Sequence, residues 1–422
     1  MYKLTADQQD AIGRLYEHDA AVLVAPTGVG KTVICLTAIA ELIRDGQLHR
    51  VIVACPAKVL DRGVWGNEVG KWDHLKGLRV IELRGTAKQR RQLLQNDADV
   101  FVVSLNNLAW LLEEAHLCDG IVIDELSKAA GKQAKGLRSK KRAGMLVWRV
   151  GMTATPVSQD FLKLYDMCRI IDHGAALGTN KKRYLDTHFY SDYGGYNWTM
   201  RDGAAEQIMA RVASLVHVVP DNKSSSLPPL TLEEKRFTMP AETRAIYDEM
   251  RETMVVEASD VEAANEAVKS GKLRQIASGF VYDEDNETVE LDTARFDALR
   301  EWVDGLAGEP GLVFYEYKAQ AEQLAECTKH NDNVELAQIQ SMSHGVDGLQ
   351  ELFSDVLFYQ PNWSRDATEQ AIGRVWRQGQ TKPVRVTTLI CEDTLDDVVV
   401  ARVEQRAEWM ELFLKHLKGN PA

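Results

Sequence analysis

The 422-residue sequence lacks several things, and each absence narrows the field. No apolar run approaches the ~20 residues a membrane-crossing helix needs, so no membrane partner is expected. The N-terminal MYKLTADQQDAI has no signal-peptide pattern, and the expected location is the cytoplasm. Six cysteines (Cys35, Cys55, Cys118, Cys168, Cys327, Cys391) are scattered with no C-x-x-C pair. They read as free thiols of a reducing compartment, not as a disulfide framework or a zinc site. The ten histidines show no ligand spacing, and there is no internal repeat or low-complexity tract. Net positive charge is missing too: 50 Lys and Arg against 62 Asp and Glu leave −12, which taken whole argues against nucleic acid. The distribution alters that reading. Residues 1–220 hold 29 basic and 24 acidic residues (+5), and residues 221–422 the remaining 21 and 38 (−17). A basic face on the first half is compatible with an acidic whole.

What is present begins at Ala21-Val22-Leu23-Val24, a buried parallel strand by its continuous apolar character. It runs into Ala25-Pro26-Thr27-Gly28-Val29-Gly30-Lys31-Thr32 and then the helical pattern from Val33 to Ala40. Strand, glycine-rich turn, Lys-Thr and helix in that order make a phosphate-binding loop. Glycines let backbone N–H groups close round phosphate oxygens, and the helix N-terminus adds partial positive charge. Lys31 is assigned to the β- and γ-phosphates and Thr32 to Mg²⁺. Ahead of the loop, Thr5 is a helix N-cap and Gln8 stands at the capping-box position. Gln8 has a second reading as an adenine contact, because its helix ends just before the loop.

Buried strands follow at Val51–Pro56, near Leu78–Leu83, at Val100–Ser104 and at Gly120–Ile123, the last ending in Asp124-Glu125. Two acids at the end of a buried strand are costly unless they meet a cation. Asp124 is assigned to the metal and Glu125 to the attacking water. Lys132–Arg142 is a basic run, either a solvated loop or a nucleic-acid contact. Another strand covers Leu146–Val150, and residues 160–218 read as helical and loop-rich. Strands alternating with helices predict a parallel sheet covered on both faces. The Ser- and Pro-rich stretch Asn222–Pro229 reads as a linker, giving a first lobe over 1–218, a linker over 219–230 and a second lobe over 231–422. The second lobe opens with a helical stretch from Ala241 to about Ile276. Its strands are expected at Leu312–Tyr315, Val334–Ile339, Asp355–Tyr359 and Val384–Ile390, with no phosphate loop of its own.

Within that lobe, Gln370-Ala371-Ile372-Gly373-Arg374-Val375-Trp376-Arg377-Gln378-Gly379-Gln380 stands out. On a continuous helix Gln370, Arg374 and Arg377 share one face at i, i+4 and i+7. Guanidinium forks suit phosphate oxygens. In a two-domain arrangement these arginines act as fingers on a triphosphate held by the first lobe, making hydrolysis depend on closure.

The ordered set of motifs resembles a superfamily-two helicase of the Swi/Snf-type DNA translocase group, most closely its compact, phage-type members. Gln8 matches the family's glutamine motif and APTGVGKT its motif I, which in this superfamily commonly begins Ala-x-x-Gly. Pro56 with Trp65-x-x-Glu68-x-x-Lys71-Trp72 is similar to motif Ia, and Val103–Leu108 to motif Ib. Asp124-Glu125 is similar to motif II and Gly151–Pro156 to motif III, with Ala154 where many members have Gly. Tyr165–Gly178 and Gly194–Trp198 resemble the link between lobes. Leu312–Leu324 is similar to motif IV and Ser341–Gln350 to motif V, with Asp347 where Asn is common. Trp363-Ser364, Gln370-Ala371 and Arg374-x-x-Arg377-x-Gly379-Gln380 are similar to the last large motif, with Ser364-Arg365 replacing Asn-Pro. Thr394-Leu395-Asp396 resembles the trailing element. The segment Ala325–Asn333 is short, and the insertions of chromatin remodellers are missing.

The resemblance implies two RecA-like α/β lobes with ATP and Mg²⁺ in the cleft between them, the chain acting as a monomer. It implies a DNA-dependent ATPase that steps along duplex DNA held mostly by its phosphates. Implied DNA contacts are Lys58, Ser104, Asn106, Ser343 and Trp363, the last also readable as a core aromatic. Thr153 and Thr155 are implied to couple the two activities. A phage-encoded protein of this kind works in the host cytoplasm. Two other functions stay open on the sequence: a strand-separating DNA or RNA helicase, and a nucleotide-regulated binding module.

Overall fold

Two parallel sheets, each buried on both faces, organise the chain, and they lie in separate compact units made by residues up to 220 and from 227 to 405. The computed structural model describes residues 3–26, 28–114, 118–129, 137, 146–154, 161–191, 198–220, 227–253, 262–283, 285, 287–328, 333–339 and 348–405. The basic run Lys132–Arg142, apart from Leu137, lies outside them, as do Thr27, Thr155 and Ser343.

The first unit holds β1 (Ala20–Val24), β2 (Val51–Cys55), β3 (Val80–Glu82), β4 (Val100–Ser104), β5 (Gly120–Ile123) and β6 (Trp148–Thr153). It also holds a small antiparallel pair, β7 (Phe189–Ser191) with β8 (Trp198–Met200), and β9 (Val216–Val218). Seven of these strands form one sheet in the order β3-β4-β2-β5-β6-β1-β9, parallel throughout. Successive strand residues face opposite ways. Val22 and Val24 therefore enter one core with Ile52, Ala54, Ile121 and Ile123. Ala21 and Leu23 enter the other with Val51, Val53, Val122 and Val150. Helices α1 (Ala6–Glu17) and α2 (Lys31–Arg44) close the second core with Trp65 and Trp72. The helices Phe161–Asp172 and Ala204–Val212 close the first. β9 lies in the stretch expected to be helix and loop; it pairs with β1 from Val22↔Val216 to Val24↔Val218 and closes one edge of the sheet.

The second unit has β10 (Leu230–Phe237), a hairpin of β11 (Phe280–Tyr282) and β12 (Thr288–Glu290), and β13 (Gly311–Tyr315), β14 (Val334–Gln338), β15 (Asp355–Phe358) and β16 (Val384–Cys391). Its sheet runs β10-β16-β15-β13-β14, again parallel. Helices Ala241–Thr253 and Glu262–Ala277 occupy the expected helical stretch, with residues 254–261 undescribed. A buried polar network follows the carboxyl ends of β13 and β15. Arg274 donates to Glu316 at 3.0 and 2.9 Å and to the Pro361 carbonyl at 2.7 Å. Gln360 accepts from Ser278 and Gln320, both at 2.8 Å, and donates to Glu316 at 3.0 Å. Arg295, 1% exposed, pairs with Asp396 and donates to the carbonyls of Ala277, Tyr359 and Leu389. Among the described residues no helix is long and apolar enough to cross a membrane, and the five described cysteines are free and buried.

Candidate active site

In the first sheet, β1, β2, β5 and β6 all end at one edge, where open parallel sheets bind ligands. Backbone bonds pin that edge: Ala25 N–H donates to the Thr153 carbonyl at 3.0 Å and Asp124 N–H to the Ala54 carbonyl at 2.8 Å. The sequence after β1 cannot extend the strand, because the loop demands left-handed backbone at Gly28 (φ 86°) and Gly30 (φ 89°). Gly30 is also crowded, since a Cβ there would come within 2.6 Å of Gln8 Nε2. Gly30 ends the loop as the N-cap of α2, whose 14 residues begin at Lys31-Thr32. The first turn of such a helix offers unsatisfied N–H groups and the positive end of its dipole. Lys31 Nζ donates to the Ala25 carbonyl at 2.8 Å and to Pro26 at 3.0 Å. The ammonium thus sits inside the loop's own ring of backbone, where phosphate oxygens would replace carbonyls.

Gln8 fulfils its capping role and does more. Thr5 caps α1 through Gln8 N–H (3.3 Å), and Gln8 Oε1 accepts from Thr5 N–H (2.9 Å). Gln8 Nε2 donates to the Val29 carbonyl at 2.8 Å. The side chain therefore ties the start of α1 to the phosphate loop, and both ends of its amide are engaged.

Asp124 and Glu125 stand where β5 stops. Glu125 has φ 56°, a left-handed conformation unfavourable for a side chain of its size. Asp124 keeps part of its surface accessible as a residue, but its carboxyl is enclosed. Burial, then the Glu125 charge, push that carboxyl up to about 6 from an ordinary 3.8. The Lys31 charge, the Trp65 indole N–H and the Glu125 backbone N–H act the other way. Burial likewise lowers the Lys31 ammonium, against the pull of Asp124 and Glu125. Lys31 and Asp124 are thus close enough to shift each other, and the Glu125 charge acts on both. Thr32 is half-buried in the first turn of α2, and Thr153 ends β6 almost wholly buried. A glycine cradle, a lysine inside it and the enclosed, under-compensated Asp124 carboxyl next to Glu125 fit a nucleoside triphosphate with a divalent cation.

In the second unit the helix Arg365–Val375 carries Gln370 and Arg374, both half-buried. Ser364, one of the departures from the family pattern, is its N-cap and accepts from Ala367 N–H at 3.2 Å. The expectation of one helical face for Gln370, Arg374 and Arg377 is corrected at Arg377. The helix ends at Val375, because Trp376 leaves helical geometry (ψ 82°) and its indole N–H donates to the Pro228 carbonyl at 2.7 Å. Gln380 Nε2 donates to the carbonyls of Phe353 and Val375 at 2.9 and 3.3 Å, and Gly379 takes φ 102°. Arg377 is therefore placed by a bound turn, not by helical periodicity.

Of the expected DNA contacts, Lys58 and Asn106 are exposed on the first unit. Ser104 is 5% exposed and its hydroxyl accepts from Asn107 Nδ2 at 2.8 Å. Trp363 is half-buried with the Arg402 guanidinium 5.5 Å from its ring. The residues Trp65, Glu68, Lys71 and Trp72 do not share one helix: α3 (Ala57–Asp61) and α4 (Val64–Val69) stop before Lys71 and Trp72, which lead into the turn Asp73–Leu75. Sequence reasoning assigned Trp65 to a motif but gave it no role, and it gave no signal of the Glu125 backbone.

Protein p41 of Acyrthosiphon pisum secondary endosymbiont phage 1 is 27% identical over 93% of this chain and 94% of its own length. The mouse DNA excision repair protein ERCC-6-like is 26% identical over 42% of this chain, a match spanning 15% of that longer protein. Among solved structures, the Sulfolobus solfataricus SWI2/SNF2 ATPase core in complex with dsDNA covers 97% of this chain and 93% of its own, at 16% identity and a TM-score of 0.46. The family model described as the SNF2-related domain matches residues 9–282, from α1 through the phosphate loop and Asp124-Glu125 to β11, and the chain belongs to that family.

Proposed function

We propose that this chain is a DNA-stimulated ATPase that hydrolyses ATP to ADP and phosphate and uses the cycle to move along duplex DNA, remodelling DNA or protein–DNA complexes. The observation that carries this reading is the gathering of Lys31, Asp124 and Glu125 at the carboxyl edge of one parallel sheet, where Lys31 and Asp124 are both shifted from their ordinary values. Membership of the SNF2-related family supports the choice of DNA.

Gly28, Val29 and Gly30 present backbone N–H groups to the phosphates, and Pro26 and Thr27 are further proposed nucleotide contacts. Lys31 exchanges its two carbonyl partners for β- and γ-phosphate oxygens. Thr32 and Asp124 would hold Mg²⁺, which when bound offsets phosphate charge. Glu125 orients the attacking water and accepts its proton, the acid–base step worth ~10²–10⁴ in rate. Gln370, Arg374 and Arg377 are the second unit's contribution, the arginines stabilising charge as phosphate leaves. Fingers of this kind are worth ~10³–10⁵ in rate. Gln8 reports on the loop through Val29 and, on this reading, on adenine. Lys58, Ser104, Asn106, Ser343 and Trp363 are the proposed DNA contacts, and Thr153 and Thr155 the proposed link between the two activities. The proposed setting is the cytoplasm, that of the host for a phage-encoded protein.

The test is the ATPase rate with no nucleic acid, duplex DNA, single-stranded DNA and RNA in parallel. Duplex DNA should stimulate most. Stimulation by RNA alone would overturn the reading, and equal stimulation by single strands would favour a strand-separating helicase.

A further inference from the structure

Gly151 lies within β6, paired with Ile123 of β5 on one side and Val22 of β1 on the other. A glycine in a central strand gives up packing and adds to the chain entropy lost on folding, so its place needs a reason. Backbone conformation is not that reason, because Gly151 continues a regular strand and takes no left-handed φ. The reason is space. A Cβ there would overlap Leu126 Cδ2, and would stand 3.2 Å from Leu126 Cγ and 3.1 Å from Ile171 Cδ1. Leu126 is fully buried and shares the first core with Ile123 and Ile171. The missing side chain is thus a socket, and Leu126 fills it.

Leu126 follows Glu125 directly. β5 stops at Ile123 and the next helix begins at Leu126, so Asp124 and Glu125 make the whole connection. Glu125 takes φ 56° within it. Backbone of that kind persists only where its surroundings hold it. Here one anchor stands on each side. Before Glu125, Asp124 N–H donates to the Ala54 carbonyl at 2.8 Å; after it, Leu126 sits in the Gly151 socket. Lys128 N–H closes the turn on the Glu125 carbonyl at 2.8 Å.

We propose that Gly151 is a positioning residue: the room it leaves seats Leu126, and the seated leucine holds Glu125 in the backbone conformation that aims its carboxylate at the attacking water. The inference rests on the proposed ATP site. It adds a residue that acts through Leu126 and not by contact with nucleotide or water.

The test is steady-state ATP hydrolysis by the full chain, with duplex DNA present. The proteins compared are the wild type, Gly151→Ala, Leu126→Val, the two combined, and Gly120→Ala. Gly151→Ala should lose about 100-fold in kcat, the cost of a ~1 Å misplacement, with KM for ATP within about twofold of wild type. Leu126→Val shortens the seated side chain and should lose about tenfold in kcat at the same KM. The combined variant trades that carbon for the added methyl and conserves volume, so it should return to within about threefold of wild type. Gly120→Ala is the control. Its Cβ would be crowded too, 2.9 Å from Val51 Cγ2, but it stands at the opposite end of β5 from Glu125 and should keep the wild-type kcat. Four results overturn the proposal: a wild-type kcat in Leu126→Val, a combined variant no more active than Leu126→Val, a KM that rises as far as kcat falls, or an equal kcat loss in Gly120→Ala. Leu126→Val and the combined variant decide the matter even where Gly151→Ala does not fold. A wild type that hydrolyses no ATP overturns the ATP site itself, a different result.

Discussion

The carboxyl edges of the two sheets treat buried charge in opposite ways. At the second edge Arg274 and Arg295 each meet a carboxylate. Burial works against the Arg274 charge, but Glu316 outweighs it and the guanidinium ends above its ordinary value. Gln360, Gln320 and Ser278 complete the same network, and Arg295 satisfies Asp396 and three backbone carbonyls. At the first edge burial wins: Asp124 is pushed up to about 6, Glu125 stands in left-handed backbone, and Lys31 is bound by carbonyls of its own loop. Two sheets of the same construction thus differ in whether compensation is built in or left for a ligand. Compensated charge specifies a fold. Uncompensated charge at a strand end marks chemistry.

Breaking each edge should give opposite signatures, and the largest effect belongs to the first. Glu125→Gln should reduce ATP turnover ~10²–10⁴-fold while the melting temperature stays close to wild type. Lys31→Ala should abolish turnover in the same assay with the fold intact; persistent turnover would remove these residues from the reaction. Arg377→Ala should cut turnover far more than ATP binding, and an equal loss in both would leave Arg377 a structural residue of its turn.

The second edge should answer in stability. Arg295→Met leaves Asp396 buried without its partner, and such losses run to about 3–5 kcal/mol. Denaturant unfolding should show that loss. A change below ~1 kcal/mol would mean the second edge is not compensated as described. Smaller still is the Gln8→Ala effect. Removing half of a capping box and the Val29 tie should cost about 1 kcal/mol, with weaker nucleotide binding as the more specific readout.

What the sequence made legible follows from the same physics. Central parallel strands are buried on both faces and read as unbroken apolar runs: β2 and β4 lie within or at the expected ends, and the β13, β15 and β16 expectations are displaced by a residue at most. Edge strands lack that signature. β10 reads LTLEEKRF, largely exposed, and β9 is three residues long, so neither was expected. The loop and the acidic pair were legible because their spacing is local. Arg377 was misplaced because the Trp376 bond to Pro228 spans 148 positions.

The contrast between the edges is tested most directly by the thermal stability of wild type and Asp124→Asn across pH, with and without Mg²⁺-ADP. The sign follows from the raised carboxyl. Because the folded value (about 6) lies above the ordinary 3.8, the penalty for charging Asp124 is absent below pH 3.8, grows between 3.8 and 6, and is complete above 6. At pH 7.5 without ligand, Asp124→Asn should therefore be more stable than wild type by about 3 kcal/mol, an advantage that vanishes below pH 4. On adding Mg²⁺-ADP the order should reverse, because only the wild type supplies the carboxylate that the cation needs. An Asp124→Asn protein less stable than wild type in the absence of ligand, or stabilised by Mg²⁺-ADP to the same extent, would contradict the account.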